Sequence, residues 1–128
     1  MIIEAFVCLA LTVYHEARHL PEAEQEAVAH VVLNRVRSDR FPSTVCEVVR
    51  QGGTKRYKCQ FTWYCDGKVD TPYEKDAWRT AERIAERSFS MPDPTGGALF
   101  YHATWVAPKG WWLTLTKVHV DAGHIYYR

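Results

Sequence analysis

The sequence predicts a mainly α-helical domain with a minor β element, an α+β fold. Apolar residues recur at helical spacing over residues 2–19, 21–38 and 71–89. After residue 98 the sequence instead alternates loosely between apolar and polar side chains, which indicates short extended segments. A chain of 128 residues has room for one hydrophobic core, so we expect a single domain over residues 1–128.

A proline separates the first two predicted helices. Pro21 ends helix one because proline cannot donate a backbone hydrogen bond and its ring restricts Leu20. Helix two continues to about Ser38, with acidic residues in its first turns and Arg35 and Arg37 near its end, as the helix dipole favours. Its apolar face carries Ala27, Val28, Val31, Val32 and Val36.

Capping residues predict two further helices. Ser43 or Thr44 can cap a short third helix that continues through Val49. The segment 71–74 combines a threonine cap, a proline at the first helical position and a glutamate at the third, so it predicts the start of helix four. We expect that helix to reach about Phe89. Its inward residues are predicted to be Ala77, Trp78, Ala81, Ile84 and Ala85.

The remaining segments are predicted as loops and extended chain. Residues 52–70 are expected to form a loop with short strands, because the stretch 59–65 is rich in β-formers and Asp66-Gly67 is typical of a turn. The stretches 98–106 and 118–127 are expected to supply a small sheet.

Composition excludes several classes of protein. Apolar residues make up 47% and charged residues 24% of the chain, an ordinary globular mixture. The apolar run 5–11 is too short to cross a bilayer as a helix, and a net charge of +1 gives no general affinity for nucleic acid. The aromatic content of 13% exceeds what so small a core needs, which favours a groove where rings stack on sugars.

The apolar N-terminal stretch does not have the pattern of a secretory leader. Glu4 stands where a basic residue is expected, and no small-residue cleavage site precedes Tyr14. We therefore expect synthesis in the cytoplasm without a signal peptide.

Four cysteines, Cys8, Cys46, Cys59 and Cys65, allow three complete disulfide pairings that the sequence does not distinguish. Cys8 lies in an apolar helical run and is interpreted as a buried free thiol. The other three surround one loop, so one disulfide is expected among them. A zinc site at these residues is less favoured, because no Cys-x2-Cys spacing occurs.

Glu16 is the leading catalytic candidate. It falls in the last turn of helix one, where burial and the negative end of the helix dipole both raise the pKa of a carboxyl group. A carboxyl group that stays protonated near neutral pH can act as a general acid on a glycosidic oxygen. The alternative is an ordinary ion pair with Arg18 or another surface arginine.

The same residues match a zinc-peptidase motif. His15 and His19 are four residues apart, which places both imidazoles on one helix face with Glu16 available as a base. Pro21 leaves His19 at a frayed helix end, and this weakens the motif. A third ligand would have to come from a distant histidine: His102, His119 or His124. We keep a zinc peptidase as an alternative and expect no metal.

Further polar and aromatic side chains are candidates for substrate binding: Gln60, Trp63, Tyr101 and His102. Each can line a sugar groove or serve the core instead. Asn34 lies in an apolar run, where a buried amide needs partners, so we expect it to tie helix two to a neighbouring backbone. Tryptophans at 105, 111 and 112 are too many for the core, so at least one is expected to be exposed.

A series of short motifs follows along nearly the whole chain. The motifs are Tyr14-His-Glu-Ala-Arg18, Gln25-Glu-Ala-Val-Ala29, Val32-Leu-Asn-Arg-Val36, Phe41-Pro42, Val45-Cys-Glu-Val-Val49, Cys59-Gln-Phe-Thr-Trp63, Cys65-Asp-Gly67, Thr95-Gly-Gly-Ala98, Tyr101-His-Ala103 and Gly123-His124. In this order they resemble the SleB-type cell-wall hydrolases. That family comprises spore-cortex-lytic enzymes and bacterial or phage relatives that cut the glycan strand of peptidoglycan, and its fold is similar to that of lysozyme and lytic transglycosylases.

The resemblance implies that Glu16 is the essential acid and that the bond cut lies between N-acetylmuramic acid and N-acetylglucosamine. A lytic transglycosylase forming 1,6-anhydromuramic ends is expected, and a muramidase using the same glutamate stays open. Gln60, Tyr101 and His102 are expected to position the strand and Trp63 to stack on it. No cofactor is expected. We expect a monomeric catalytic domain that acts on peptidoglycan in the periplasm or cell wall, and either a bacterial enzyme or a phage endolysin fits.

The chain departs from the family pattern at His19, Leu20 and Glu24, where the family commonly has glycine, glutamate and glycine. The family commonly continues Glu-Ala-Arg-Gly-Glu-Pro, whereas this chain has His19 and Leu20 before Pro21, so the second acidic residue is absent. We expect that residue to tune the groove rather than to catalyse. Asp66 and Asp70 stay open as nucleophiles, and a non-catalytic sugar-binding domain built on the aromatic residues is a further alternative.

Overall fold

A computed structural model describes residues 3–128 as four helices followed by a small sheet. The helices are α1 (Ile3–Ala17), α2 (Glu22–Arg37), α3 (Val45–Val49) and α4 (Lys75–Ser88), and the strands are β1 (Phe100–Ala103), β2 (Lys117–Val120) and β3 (His124–Tyr127). Two short 3-10 helices span Thr62–Cys65 and Gly110–Thr114. The predicted mainly helical fold with a minor β part is confirmed. The predicted start of helix one at Ile2 lies outside the described residues.

The main core lies between the helices. Helix α1 packs against α2, α3 and α4, and its residues Leu9 and Val13 are fully buried. They meet Val32 from α2, Val48 from α3 and Ile84 from α4 in one cluster. Thr44 caps α3 as predicted, since its side chain accepts a hydrogen bond from the Glu47 backbone N–H at 3.2 Å.

Helix α4 begins at Lys75, so the predicted start at residues 71–74 is wrong. The backbone N–H groups of Tyr73 and Glu74 donate instead to the buried hydroxyl of Tyr14, at 3.1 and 3.0 Å. The ring of His15 donates through Nε2 to the Asp70 carbonyl at 2.8 Å. These tertiary contacts hold the segment in extended form against the end of α1, where the local capping signal cannot act.

One of the two disulfides contradicts the prediction and the other confirms it. Cys8 is bonded to Cys46 with a Cα–Cα distance of 5.4 Å, so the predicted free thiol at Cys8 is wrong. The packing of α3 on α1 brings these two residues together although 38 positions separate them. Cys59 pairs with Cys65, as one of the expected loop disulfides. In place of the short strands expected in that loop, Thr62–Cys65 forms a 3-10 helix inside the ring that this disulfide closes.

The C-terminal sheet is antiparallel, with β3 between β1 and β2. Asn34 attaches it to α2 through a 3.0 Å hydrogen bond from its amide to the Ala98 carbonyl, as predicted. The neighbouring Arg35 donates to the Leu99 carbonyl at 2.7 Å. The described residues include no helix that is both long enough and apolar enough to span a bilayer.

Candidate active site

Glu16 lies in the last turn of α1 and lines a hollow between the helices and the sheet. Burial raises the pKa of this carboxyl group above its ordinary value, because the charged form is poorly solvated there. Its position near the C-terminus of the helix adds the unfavourable end of the helix dipole. The competing ion pair with Arg18 is not formed, since Arg18 binds Glu74 at 3.1 Å.

Tyr101 on β1 reaches Glu16 across the seam between sheet and helices. Its hydroxyl donates a hydrogen bond to Glu16 Oε1, and this bond partly offsets the effect of burial on the pKa of Glu16. Burial and the nearby carboxylate raise the pKa of Tyr101 well above its ordinary value, so the phenol stays a donor. The pairing of Tyr101 with Tyr126 on β3 holds the strand that carries this ring.

Arg35 is the main site residue that the sequence reasoning missed. Its side chain is only 2% exposed and lines the same hollow as Glu16. The guanidinium lies 4.9 Å from the ring centre of Phe41 and 5.6 Å from that of Phe100, and its Nη1 has no partner within the protein. The available signal was its place four residues after Val31, on the apolar face of α2, where a charged side chain is not expected.

Arg35 and Glu16 influence each other electrostatically. The positive charge of Arg35 lowers the pKa of Glu16, against the larger effect of burial. Burial in turn lowers the pKa of Arg35 to about 10, while Tyr101 and Glu16 oppose that shift. The arrangement therefore keeps Glu16 easier to protonate than a surface glutamate and also provides a cation beside its conjugate base.

The hollow at Glu16 has a volume of about 120 Å³ and shares lining residues with three others. Its walls are Glu16, Arg35, Gln60, Phe61, Phe100, Tyr101 and Trp112. Through Gln60 it adjoins a hollow of about 340 Å³, and through Trp112 one of about 580 Å³ that His102 also lines. A fourth hollow of about 170 Å³ shares Glu16 itself. Such a series of neighbouring depressions suits an extended ligand better than a small compact one.

The predicted substrate-binding residues are placed differently from one another. Gln60 is exposed at the cleft and Tyr101 contacts Glu16 directly. His102 lies one hollow away, where its Nε2 accepts from the Tyr127 hydroxyl at 2.8 Å. Trp63 does not line these hollows: it is 8% exposed, and its ring stacks on His15 at 4.7 Å between ring centres. Trp63 therefore packs against α1 outside these hollows, because the ring of His15 already covers its flat face.

Glu16 is the one carboxyl group that lines these four hollows within residues 3–128. Leu20 occupies the position of the missing acidic residue and lies beside Gly123. Asp66 accepts from the Lys68 backbone N–H at 2.9 Å, away from the hollows. The pKa of Asp70 is raised by burial, and its carbonyl is engaged by His15.

The histidines of the possible zinc motif do not assemble a ligand set in the described residues. His15 and His19 flank Glu16 along one hollow, and His124 also lines it. However, the part of the chain described here contains no group of three or more histidine, cysteine, aspartate or glutamate side chains placed to hold a metal. His15 Nε2 is already used in its bond to the Asp70 carbonyl.

The fold and the site define a small, mainly helical domain in which Glu16 is the carboxyl group among the described residues that line the four hollows around the site. The chain belongs to the Cell Wall Hydrolase family, whose model matches residues 20–127. It is 34% identical over 119 residues to the spore cortex-lytic enzyme of Halalkalibacterium halodurans, and 35% identical over 119 residues to that of Bacillus cereus. Each match covers 92% of this chain, which spans only 33% and 42% of the length of these two relatives.

Solved structures of two catalytic domains have the same fold. The catalytic domain of the germination-specific lytic transglycosylase SleB from Bacillus anthracis matches with a TM-score of 0.79 and 33% identity, over 100% of this chain and 97% of that one. The catalytic domain of Bacillus cereus SleB matches with the same TM-score and 32% identity, over 100% of this chain and 92% of that one. The resemblance to the SleB-type hydrolases and the fold expected from it are therefore confirmed.

Proposed function

We propose that this domain is a peptidoglycan lytic transglycosylase that cuts between N-acetylmuramic acid and N-acetylglucosamine. The observation that carries the proposal is the half-buried carboxyl group of Glu16, held by Tyr101 at a cleft whose described lining contains no second carboxylate. Membership of the Cell Wall Hydrolase family supports the substrate. The match to the catalytic domain of a lytic transglycosylase supports the reaction.

In this mechanism Glu16 acts first as a general acid. Its raised pKa keeps the proton available, and that proton passes to the glycosidic oxygen as the bond to the muramic acid carbon breaks. The acetamido group of the substrate can stabilise the resulting oxocarbenium-like centre. Arg35 and the Tyr101 hydroxyl favour the carboxylate that Glu16 has become.

Glu16 then acts as a general base. The carboxylate takes the proton from the 6-hydroxyl group of the same muramic acid, and the 6-oxygen closes on the anomeric carbon to form a 1,6-anhydro ring. This route needs no protein nucleophile, which agrees with a single carboxyl group in the cleft. Water in place of the 6-hydroxyl group would make the same site a muramidase. Gln60 at the cleft edge and His102 in the adjoining hollow are proposed to position the strand, and we expect the domain to act as a monomer.

The test is mass spectrometry of the products released from purified peptidoglycan by the parent protein and by Glu16→Gln. Anhydromuramic ends that disappear in the variant are the expected result, with a loss of roughly 10²–10⁴-fold in rate for removal of a general acid. Glu86→Gln, a change of the same chemistry on the exposed side of α4, is the matched control and should keep full activity. Reducing muramic ends would indicate hydrolysis, and cleaved peptide cross-links would overturn the proposal.

A further inference from the structure

The segment between β1 and β2, residues 104–116, exposes aromatic side chains next to the cleft and is called the aromatic loop below. Trp105 is 84% exposed and Trp111 is 55% exposed, whereas the third ring, Trp112, is half-buried. Lone apolar residues on a surface are ordinary, but several large rings on one short loop mark a binding surface. The mechanism above uses neither Trp105 nor Trp111.

Trp105 lies on one side of Glu16. It lines the hollow of about 170 Å³ that Glu16 also lines, together with Gly123 from the β2–β3 turn and His124 at the start of β3. The Thr104 backbone N–H donates to the Gly123 carbonyl at 3.1 Å, which fixes the start of the loop next to this hollow. Trp105 and Glu16 therefore line one hollow, so a ligand that fills it contacts both.

Trp111 and Trp112 lie on another side of Glu16. Trp112 lines both the hollow at Glu16 and the adjoining one of about 580 Å³. The ring of Trp111 is 5.2 Å from that of Trp112 and 5.2 Å from that of Phe100. Phe100 also belongs to the wall at Glu16, so a chain of ring contacts connects the reacting carboxyl group with the exposed Trp111.

We propose that the aromatic loop forms outer sugar-binding subsites, with Trp105 and Trp111 each stacking on a sugar remote from the bond that Glu16 cleaves. This inference rests on the proposed function and adds a preference for long glycan strands over short ones. Exposed indole faces offer the flat apolar surface that the faces of pyranose rings require. The one charged residue of the loop, Lys109, lines the larger hollow, where it suits the carboxylates carried by muramic acid substituents.

The residues that these hollows share with the Glu16 site favour a glycan strand over a lipid surface as the occupant. Both exposed tryptophans are connected to Glu16 through shared hollows or ring contacts. The edge-to-face contact of Trp111 with Phe100, at 75° between ring planes, presents the indole in a set orientation, as a stacking platform requires. A membrane contact would need neither feature, and it is kept as an outcome of the test.

The experiment compares Trp105→Ala, Trp111→Ala and the double variant with Leu113→Ala. Leu113 is 71% exposed on the same loop but lines none of the hollows described above, so it controls for the loss of apolar surface. For each protein, kcat/KM is measured on long purified glycan strands and on a tetrasaccharide of the same repeat. Retention on insoluble peptidoglycan is measured for the same variants in a Glu16→Gln background. Binding to vesicles of phosphatidylglycerol and phosphatidylethanolamine is measured in parallel.

The expected result is a fall in kcat/KM on long strands of about two- to tenfold for each ring removed, with the tetrasaccharide unaffected. Leu113→Ala should leave both values unchanged, and Trp111→Tyr should recover most of the loss because it restores a flat ring. Equal losses on both substrates, or no loss on either, would overturn the proposal. Vesicle binding that the tryptophan variants lose while strand cleavage is unchanged would also overturn it.

The retention assay separates a failure of this inference from a failure of the proposed function. If the parent protein cleaved no glycan, the transglycosylase proposal would fail, while loss of retention in the double variant alone would still support the subsites. If the parent cleaved glycan and retention did not depend on either tryptophan, the subsite proposal would fail by itself.

Discussion

The helical half of the domain and its C-terminal sheet are stabilised in different ways. The main apolar cluster draws all its fully buried members from residues 8–85. The second cluster is much smaller and joins Ala27 and Val31 of α2 to Ala98 and Tyr126 of the sheet region. Within residues 3–128, half of the large apolar side chains that are exposed belong to the sheet half: Trp105, Val106, Trp111, Leu113 and Val120.

The two halves also contribute different residues to the site. Glu16 projects from the well-packed half, so its position depends on the helix core. Its hydrogen-bond partner Tyr101 and the exposed tryptophans come from the sheet half, which has the smaller apolar cluster. Hydrogen bonds from Asn34 and Arg35 attach this half to α2. Variants of the helical half should therefore change stability, and variants of the seam or the loop should change activity with little effect on stability.

Removal of the Cys8–Cys46 disulfide should have the largest effect on stability. Replacing both residues by alanine opens a ring of 38 residues, and the loop-closure relation gives a loss of about 4 kcal/mol in the free energy of unfolding. Denaturant unfolding of parent and variant measures it. The rate at low temperature should stay near that of the parent, because neither cysteine lines the Glu16 hollow. An unchanged unfolding midpoint would contradict this account of the helical half.

Removal of the Cys59–Cys65 disulfide should have a smaller effect on stability and a larger effect on activity. The ring is only 6 residues long, so the same relation predicts a loss of about 2 kcal/mol. Gln60 and Phe61 lie inside that ring and form part of the cleft wall, so the initial rate on peptidoglycan should fall even where the variant is fully folded. The comparison is sharpened by assaying both disulfide variants side by side at one temperature. Equal effects on rate from the two would show that the loop does not shape the cleft.

Tyr101→Phe tests the seam through the pH dependence of the reaction. The hydrogen bond from Tyr101 favours the charged form of Glu16, so its loss should raise the pKa of Glu16 further. A general acid must be protonated, so the alkaline limb of the pH profile of kcat/KM should move to higher pH. On the scale of one hydrogen bond, ~1 kcal/mol, the rate at a fixed pH on that limb should change about fivefold.

Tyr127→Phe is the control for this shift. Its hydroxyl binds His102 and does not touch Glu16, so the limb should stay at the pH of the parent. A limb that moves to lower pH in Tyr101→Phe would mean that the phenol stabilises the neutral acid instead.

Glu16→Gln should have a small effect on stability, and its sign depends on pH. The folded-state pKa of Glu16 is raised, so the protonated group contributes its full stability below its ordinary value of 4.5. That contribution is lost as the pH rises through the folded-state pKa. Glutamine does not ionise, so the variant should be slightly more stable than the parent at pH 7 and should lose this advantage near pH 4. Urea unfolding at both pH values checks this, and a variant less stable only at pH 7 would indicate a stabilising ion pair at Glu16.

Much of the helical half was predictable because its signals are local. The period of the apolar residues identified α1, α2 and α4, and the Thr44 cap identified α3. The start of α4 was misplaced because Tyr14, almost sixty residues earlier, takes the backbone N–H groups that a cap would otherwise satisfy. The free thiol predicted at Cys8 failed for the same kind of reason, since its partner comes from another helix.

Only part of the site was predictable. Glu16 followed from its place at a helix end, and Tyr101 from the resemblance together with its polar tip. Arg35 was missed because a basic residue near a helix end already has an ordinary explanation in the dipole. Trp63 was expected to stack on the glycan strand. The sequence around it is equally typical of a buried ring, and only the stacking of Trp63 on His15 in the structure distinguishes the two.

Periodicity, capping and ordered motifs predicted the helices, the leading carboxyl group and the family, because these signals are properties of neighbouring residues. Tertiary structure decided which cysteines pair, where α4 begins, which rings face the cleft and which groups adjust the pKa of Glu16. Each of these depends on atoms that are distant in sequence and meet only after the helices and the sheet pack together. Burial and hydrogen bonding, which govern the chemistry at Glu16, are properties of that packing.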